Sequence, residues 1–543
     1  MWRKVFGGNH PQECLRPRCC LKGRGLLLIP EGALSPRYLP AMTKITDIIH
    51  RHPAGTFAAF LALHAVVWTA LPALLFLNPP LDIIEGLLYG REWQLGYDKL
   101  PPLPWWMLEA THRLFGQDVF YYALSQTTVV ATFALVWAMA RRLVGPVGAL
   151  VSVLIIDGLH YFTFTSPKFN HDVIELPFWA LTGYAYWAAL RGGRVLHWIL
   201  LGLGVGLSLW AKYFVVVQAL PLALFALFDR DARKTLATPG PWIAITVALA
   251  VMAPHLIWLW QNDFLPFAYA DDRAKHFTKL RDYVGRPLWF LLGQLGSLLP
   301  SLLIAAAGFR RDGRAAGEAM PDAFDRRIVT LLAFGPAAAL VLLSIVSGRD
   351  PVAMWAYPLW LFVGLWIVIH VPHVSVTRVG RAATVWGAVF FVYAAAFVVH
   401  YDVRPRFQQR YTTELYPGER LADEMSRRFR ALTGQPLAYV IGPMWEGGNI
   451  SHYAPSHPRV LIDGSPKRAP WIDLGDLRVH GAMVVWDATV SPTMPPKFRA
   501  IAEDAEIQPT LTLPMRLGTF NVQIGWALLR PRPVVAGTSR RPG

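Results

Sequence analysis

Charge is scarce in this chain. Of its 543 residues only 16% are Asp, Glu, Lys or Arg, whereas 54% are hydrophobic. A soluble chain of this length carries about 25% charged residues, so an ordinary water-soluble globular protein is excluded. Cysteine is nearly absent too. Cys14, Cys19 and Cys20 all precede the first long apolar run and lack the His or carboxylate spacing of a zinc site. No Gly-rich nucleotide-phosphate loop and no internal repeat of solenoid period is visible. Acids are outnumbered, giving a formal net charge of +16. Much of the Lys and Arg lies in short loops between apolar runs, which points to membrane topology and anionic lipid rather than nucleic acid.

What is present is a series of apolar runs near 20 residues long, the pattern of a polytopic α-helical membrane protein. Spans are expected at about 54–76, 119–140, 145–163, 173–190, 195–211, 213–228, 241–260, 287–307, 328–347, 352–371 and 381–400, roughly eleven helices in all. Alternate loops carry Arg141-Arg142, Arg191 with Arg194, Arg230 with Arg233-Lys234, Arg310-Arg311 through Arg326-Arg327, and Arg378 with Arg381. Short basic loops stay in the cytoplasm, so the other set faces out: 77–118, 164–172, the neighbourhood of Lys212, 261–286 and 348–351. Loop 261–286 is itself basic, and its charge is read as binding something anionic. In a bacterium the chain would sit in the inner membrane with these richer loops in the periplasm.

Residues 1–45 read as a disordered tail. Leu26–Ile29, closed by Pro30, is too short for a signal-peptide core, and Met42 is an alternative initiator. The membrane unit is expected over 50–403. Beyond it, 404–532 changes character, with an amphipathic helix at Glu419–Leu432 and β-type runs at Leu437–Ile441, Arg459–Ile462 and Ala482–Trp486. This predicts a small α/β domain on the outer face, followed by a second disordered tail over 533–543.

The first outer loop is the most informative stretch: Leu81-Asp82-Ile83-Ile84-Glu85, then Gly96-Tyr97-Asp98-Lys99, then Pro101-Pro102-Leu103-Pro104-Trp105-Trp106. Carboxylates and a lysine at a lipid boundary are costly and persist where a site needs them. On a helix starting after Pro79-Pro80, Asp82 and Glu85 share one face. They suit deprotonation of an attacking hydroxyl or amine, or holding a divalent cation; capping and dipole compensation is the structural alternative. Lys99 suits a phosphate, or else snorkels at the interface. Lys168, His171 and Asp172 form a second polar group at a span end, with a capping role open to Asp172. Lys212 lies deep in apolar sequence, and Arg273 and His276 stand in the basic loop. Trp105 is the candidate sugar-facing aromatic.

Asp-x-x-Glu followed by Gly-Tyr-x-Lys-x-Pro-Pro-Leu-x-Trp resembles the first extracytoplasmic loop of the multi-spanning GT-C glycosyltransferases of family 39. That group includes protein O-mannosyltransferases and, closely related, the enzymes that put aminoarabinose on lipid A. Lys168-Phe169-Asn170 with its following Val and Leu-Pro, the Lys212 span, and Pro254-His255 through Asn262-Asp263 are similar to that family as well. The resemblance covers about 50–400. It implies Asp82 as the catalytic carboxylate and a polyprenyl-phosphate sugar as donor, taken from the outer leaflet. Many members carry an acid directly after that aspartate, but here Ile83 follows and the second acid is Glu85. The expected assignment is thus Asp82 and Glu85 catalytic, Lys99, Lys212 and Arg273 on the donor phosphate, and Lys168, His171, Asp172, Trp105 and His276 on acceptor or sugar. The acceptor would be an envelope glycolipid, glycan or protein, and one displacement would invert the anomeric carbon. A transporter or flippase is the competing class, although its charges normally sit at the bilayer midplane in repeated halves.

Overall fold

The computed structural model describes residues 39–273, 275–308, 320–371, 378–407 and 411–532. Among them, six helices are long and apolar enough to cross a membrane.

Helix α1 (Leu39–Arg51) lies ahead of the first span. It begins inside the stretch 1–45 read as a tail, and beyond that stretch Ile49 is buried and the helix packs on α14 (Val379–Val398). Residues 1–38, and 533–543 expected as a second tail, lie outside the described residues. The first span is α2 (Pro53–Leu75). Two short helices follow, α3 (Leu81–Gly90) and α4 (Leu103–Phe115). The expected spans 119–140 and 145–163 emerge as one element, α5 (Val119–Asp157), broken by Gly145 at φ 74° ahead of Pro146. A proline cannot continue the hydrogen-bond ladder, so the two apolar halves meet at a kink rather than a loop.

Next come α6 (His171–Gly192), α7 (Val195–Ala211) and α8 (Val216–Phe228), then the span α9 (Pro239–Gln261). Helices α7 and α9 approach closely at Gly202 and Gly206, where an added Cβ would strike Ala244, Val247 or Val251. Small residues four apart let apolar helices pack backbone to backbone in lipid. Short α10 (Leu265–Arg273) precedes the spans α11 (Asp282–Ala307) and α12 (Ala323–Ser347). The expected span 352–371 is helical only at Ala353–Ala356 and in α13 (Val363–His370), with Pro358 between them. Helix α14 runs on through a π turn into α15 (Arg404–Phe407), so the last span outlasts residue 403.

The C-terminal unit combines helices with one sheet. Helix α16 (Gly418–Thr433) covers a five-stranded sheet ordered β2-β1-β3-β5-β4: β1 (Tyr439–Gly442), β2 (Arg459–Ile462), β3 (Ala482–Asp487), β4 (Glu506–Pro514) and β5 (Asn521–Leu529). The first three strands are parallel and the last two join antiparallel. Helix α17 (Met444–Tyr453) crosses from β1 to β2 despite Gly447-Gly448. Those glycines are needed for contact: a Cβ on Gly447 would meet Val460, and one on Gly448 would meet Ile84 of α3.

That last contact seats the C-terminal domain on the first loop. Arg459 pairs with Glu92 at 2.6 Å, and Arg468 with Asp98 at 2.7 Å while also donating to the Tyr89 hydroxyl. Lys168 pairs with Glu414. Tyr89, Tyr97 and Trp105 share one buried cluster with Leu421, Val440 and Trp526.

Candidate active site

Two helix starts face each other here. Helix α3 begins after Pro80, which holds the cap position without a side-chain cap bond. Asp82 is therefore not capping its own helix. Its Oδ2 accepts a 3.0 Å hydrogen bond from Asn170 Nδ2. Asn170 is the cap of α6: its Oδ1 accepts from the backbone amides of Asp172 (3.0 Å) and Val173 (3.1 Å). With that oxygen committed to the helix end, the amide nitrogen must point to Asp82. The cap expected of Asp172 is thus supplied by Asn170.

Around this contact stand three more carboxylates and two lysines. Glu85, one turn beyond Asp82, accepts from Lys99 at 2.6 Å. Asp172 pairs with Lys212, whose Nζ is also 3.9 Å from Glu175. Lys212 stands where α7 ends in extended backbone, so its side chain reaches α6. Burial works against the charge on Lys99, yet the Glu85 carboxylate outweighs it and holds the ammonium above its ordinary pKa. Lys168 is raised in the same way, by Glu414 against burial. Among the described residues, Asp82 alone of these four acids has no cation within 4 Å.

The remaining expected residues fall into place unevenly. His171 Nε2 donates to the Pro101 carbonyl at 3.2 Å and meets the edge of Trp105. Trp105 is 2% exposed and stacks on Tyr89 at 4.4 Å. Its faces are covered, so it braces Tyr89 and His171 rather than presenting a sugar platform. His276 lies 3.8 Å from Asp271 in a bridge to Arg349, apart from the Asp82 group. The side chain of Arg273 lies outside the described residues, although Tyr269 on the same helix has its ring 5.6 Å from Lys99. Among the described residues, no three His, Cys, Asp or Glu side chains converge as a metal set.

Sequence reasoning quoted Asn170 without giving it a role, although an Asn one residue before a helical run is a cap signal. It also passed over Asp98, Glu414, Arg468 and Tyr357. Tyr357 lies close enough to Asp82 and Asp172 to feel both charges. Its ring is 4.7 Å from that of Tyr161, which lines a cavity of about 810 Å³ with Arg281, Arg286, Trp289 and Phe290. Nothing local marks these residues, because four separate chain segments supply them.

A model described as dolichyl-phosphate-mannose-protein mannosyltransferase matches residues 99–258. The lipid A galacturonosyltransferase RgtD of Rhizobium johnstonii is 30% identical over 231 residues, which span 41% of this chain but only 47% of that protein. The lipopolysaccharide core galacturonosyltransferase RgtA of the same organism is 24% identical over 87% of this chain and 96% of its own length. An undecaprenyl phosphate-aminoarabinose arabinosyl transferase of Pseudomonas aeruginosa is 28% identical, covering 42% of this chain and 46% of that one. The crystal structure of ArnT from Cupriavidus metallidurans bound to undecaprenyl phosphate superposes with a TM-score of 0.58 at 14% identity, over 87% of this chain and 98% of that one. With the first-loop motif, these likenesses support a family 39-like GT-C membrane glycosyltransferase, and the ArnT superposition shows the same fold.

Proposed function

We propose that the chain moves a sugar from a polyprenyl-phosphate donor to an envelope lipid, glycan or protein acceptor at the periplasmic face of a bacterial inner membrane. The observation that carries this reading is the state of Asp82. Its neighbours are neutralised by lysines, whereas Asp82 is held by a neutral amide through one oxygen. Its other oxygen remains to take a proton. In this reading the acceptor hydroxyl gives its proton to Asp82 and its oxygen attacks the anomeric carbon. The bond from that carbon to the phosphate oxygen breaks, and polyprenyl phosphate departs with the electron pair. A single displacement inverts the centre.

Lys99 has three N–H donors and gives one to Glu85, which leaves two for the departing phosphate. Lys212, buried between Asp172 and Glu175, sets the charge behind that position. The cavity beside Tyr161 sets Arg281, Asp282 and an Arg286–Asp350 pair (3.1 Å) beside an apolar wall of Trp289 and Phe290, and that wall suits an isoprenoid chain. Lys168, His171 and Asp172 border the sugar or acceptor side. Support for a lipid-linked donor also comes from the relatives that use one by name.

Asp82→Asn tests the reading. An amide there still accepts from Asn170, so the fold stays intact while the base is lost. Transfer of radiolabelled sugar from polyprenyl phosphate in purified membranes should drop by roughly 10²–10⁴-fold. Turnover within a factor of three of wild type would remove Asp82 from the chemistry.

A further inference from the structure

A second pocket lies where the C-terminal domain meets the first loop. It holds about 300 Å³ and is lined by Leu87 and Leu88 of α3 with Arg91 just past its end, by Glu109, His112 and Arg113 of α4, and by Ser451, His452 and His457 of the C-terminal domain. It lies beside the close approach of α17 to α3 at Gly448. None of its lining residues belongs to the Asp82 group.

The chemistry of the lining is that of an anion site. Two guanidiniums face one carboxylate, so the lining is net positive even with all three imidazoles neutral. Arg91 is held in place by Ser451 Oγ (3.0 Å) and the His457 carbonyl (2.8 Å). Arg113 gives Nε to Glu109 at 2.7 Å, and its two terminal nitrogens have no hydrogen-bond partner among the described residues. His457 must carry its proton on Nδ1, which donates to the Ser451 carbonyl at 3.1 Å. His112 uses Nδ1 on the Tyr121 hydroxyl at 2.7 Å. The Nε2 of each ring is thereby left for a ligand. The His112 and His452 rings stand 5.8 Å apart, and His112 and His457 6.5 Å. Burial, with those two imidazoles beside it, holds His112 below its ordinary pKa. An anion between the rings would reverse that repulsion. Asp118 also stands near the rings, 3.7 Å from His452, and Glu92 lies 3.9 Å from Arg91.

The surroundings say where such an anion would come from. Immediately after Arg113, Leu114 is 76% exposed and Phe115 51%, and Phe115 stacks on Phe120. Arg113 itself lies over the ring of Trp93, which is also exposed. In a chain built of membrane spans, an exposed apolar and Trp-bearing rim marks the lipid interface. The pocket thus has a cationic and imidazole floor beside a lip that lipid tails can cover.

We propose that this pocket is a phosphate-binding subsite, taking the phosphomonoester headgroup of a membrane lipid at the junction of the first loop and the C-terminal domain. Its occupancy does not depend on the transfer reaction, so its test stands apart from that of Asp82.

The experiment uses the full chain in detergent and measures binding of dihexanoyl phosphatidic acid by isothermal titration calorimetry, with inorganic phosphate and dihexanoyl phosphatidylcholine as parallel probes. Phosphatidic acid should bind, and about tenfold more tightly at pH 6 than at pH 8, because a bound anion favours the protonated form of His112. Arg113→Gln with His452→Gln should weaken it at least tenfold at pH 6. His112→Asn alone should flatten the pH dependence, which covers the case where the double variant is unstable. Phosphate competing equally would identify the phosphate group as all that is read; phosphatidic acid alone binding would add the lipid. Phosphatidylcholine binding as well as phosphatidic acid, or variants that bind like wild type, would overturn the proposal.

Discussion

Replacing Glu446 should make the C-terminal domain more stable, and only above a certain pH. Glu446 stands in the first turn of α17, is 7% exposed, and has no cation within 4 Å among the described residues. Burial, with Asp487 and Asp463 nearby, pushes its carboxyl from an ordinary 4.5 to about 7. That difference is worth about 3 kcal/mol in favour of the neutral acid. The folded domain therefore binds the proton more tightly than the unfolded chain does. Its stability is complete below pH 4.5, declines as pH rises, and levels off above about 7, where the folded form also ionises. Glu446→Gln keeps the shape and removes the ionisation. At pH 8 it should raise the free energy of opening of the C-terminal domain by up to about 3 kcal/mol, and at pH 4.5 it should change little. Hydrogen exchange of α17 and β1 amides in the full chain, corrected for intrinsic rates between pH 5 and 8, reads this directly. Parallel pH profiles for wild type and variant would refute the argument, since they would mean that Glu446 is ionised and solvated throughout.

Two further outcomes bear on the donor and on orientation. Lys99→Met keeps the apolar stem but loses the cation, so it should raise the donor concentration needed for half-maximal rate at least tenfold while leaving acceptor dependence nearly unchanged; a wild-type donor curve would reduce Lys99 to an anchor for Glu85. Reporter fusions after Arg142 and Arg194 should read cytoplasm, while fusions at Gly116 and Gly434 should read periplasm, and a cytoplasmic signal at Gly434 would reverse the proposed sidedness.

Sequence alone determined the membrane character of the chain, because runs near 20 apolar residues have few other homes. It also located most helices, and it drew the eye to Asp82, Glu85 and Lys99 because charge at a lipid boundary is conspicuous. The α16 helix and the three parallel strands were legible from their periodicity. Strands β4 and β5 were not: Pro509 and Pro514 read against a strand and are tolerated because β4 is the sheet edge. Gly525 breaks the β5 pattern, yet a Cβ there would collide with Trp486. Helix α17 was hidden for a similar reason, since Gly447 and Gly448 signal a turn until Val460 and Ile84 are seen against them.

Only the tertiary structure decided which side chains meet inside the candidate site. Periodicity places Asp82 and Glu85 on one helix face, but it cannot say that Glu85 would be neutralised by Lys99 and Asp82 left to Asn170, 88 residues away. Nor can it say that Trp105 would be sealed against Tyr89, or that Arg468 would reach back to Asp98. Local pattern reports the cost of a residue where it stands in the chain. Which partner offsets that cost depends on contacts between distant segments, and those are set by how the helices and the sheet pack.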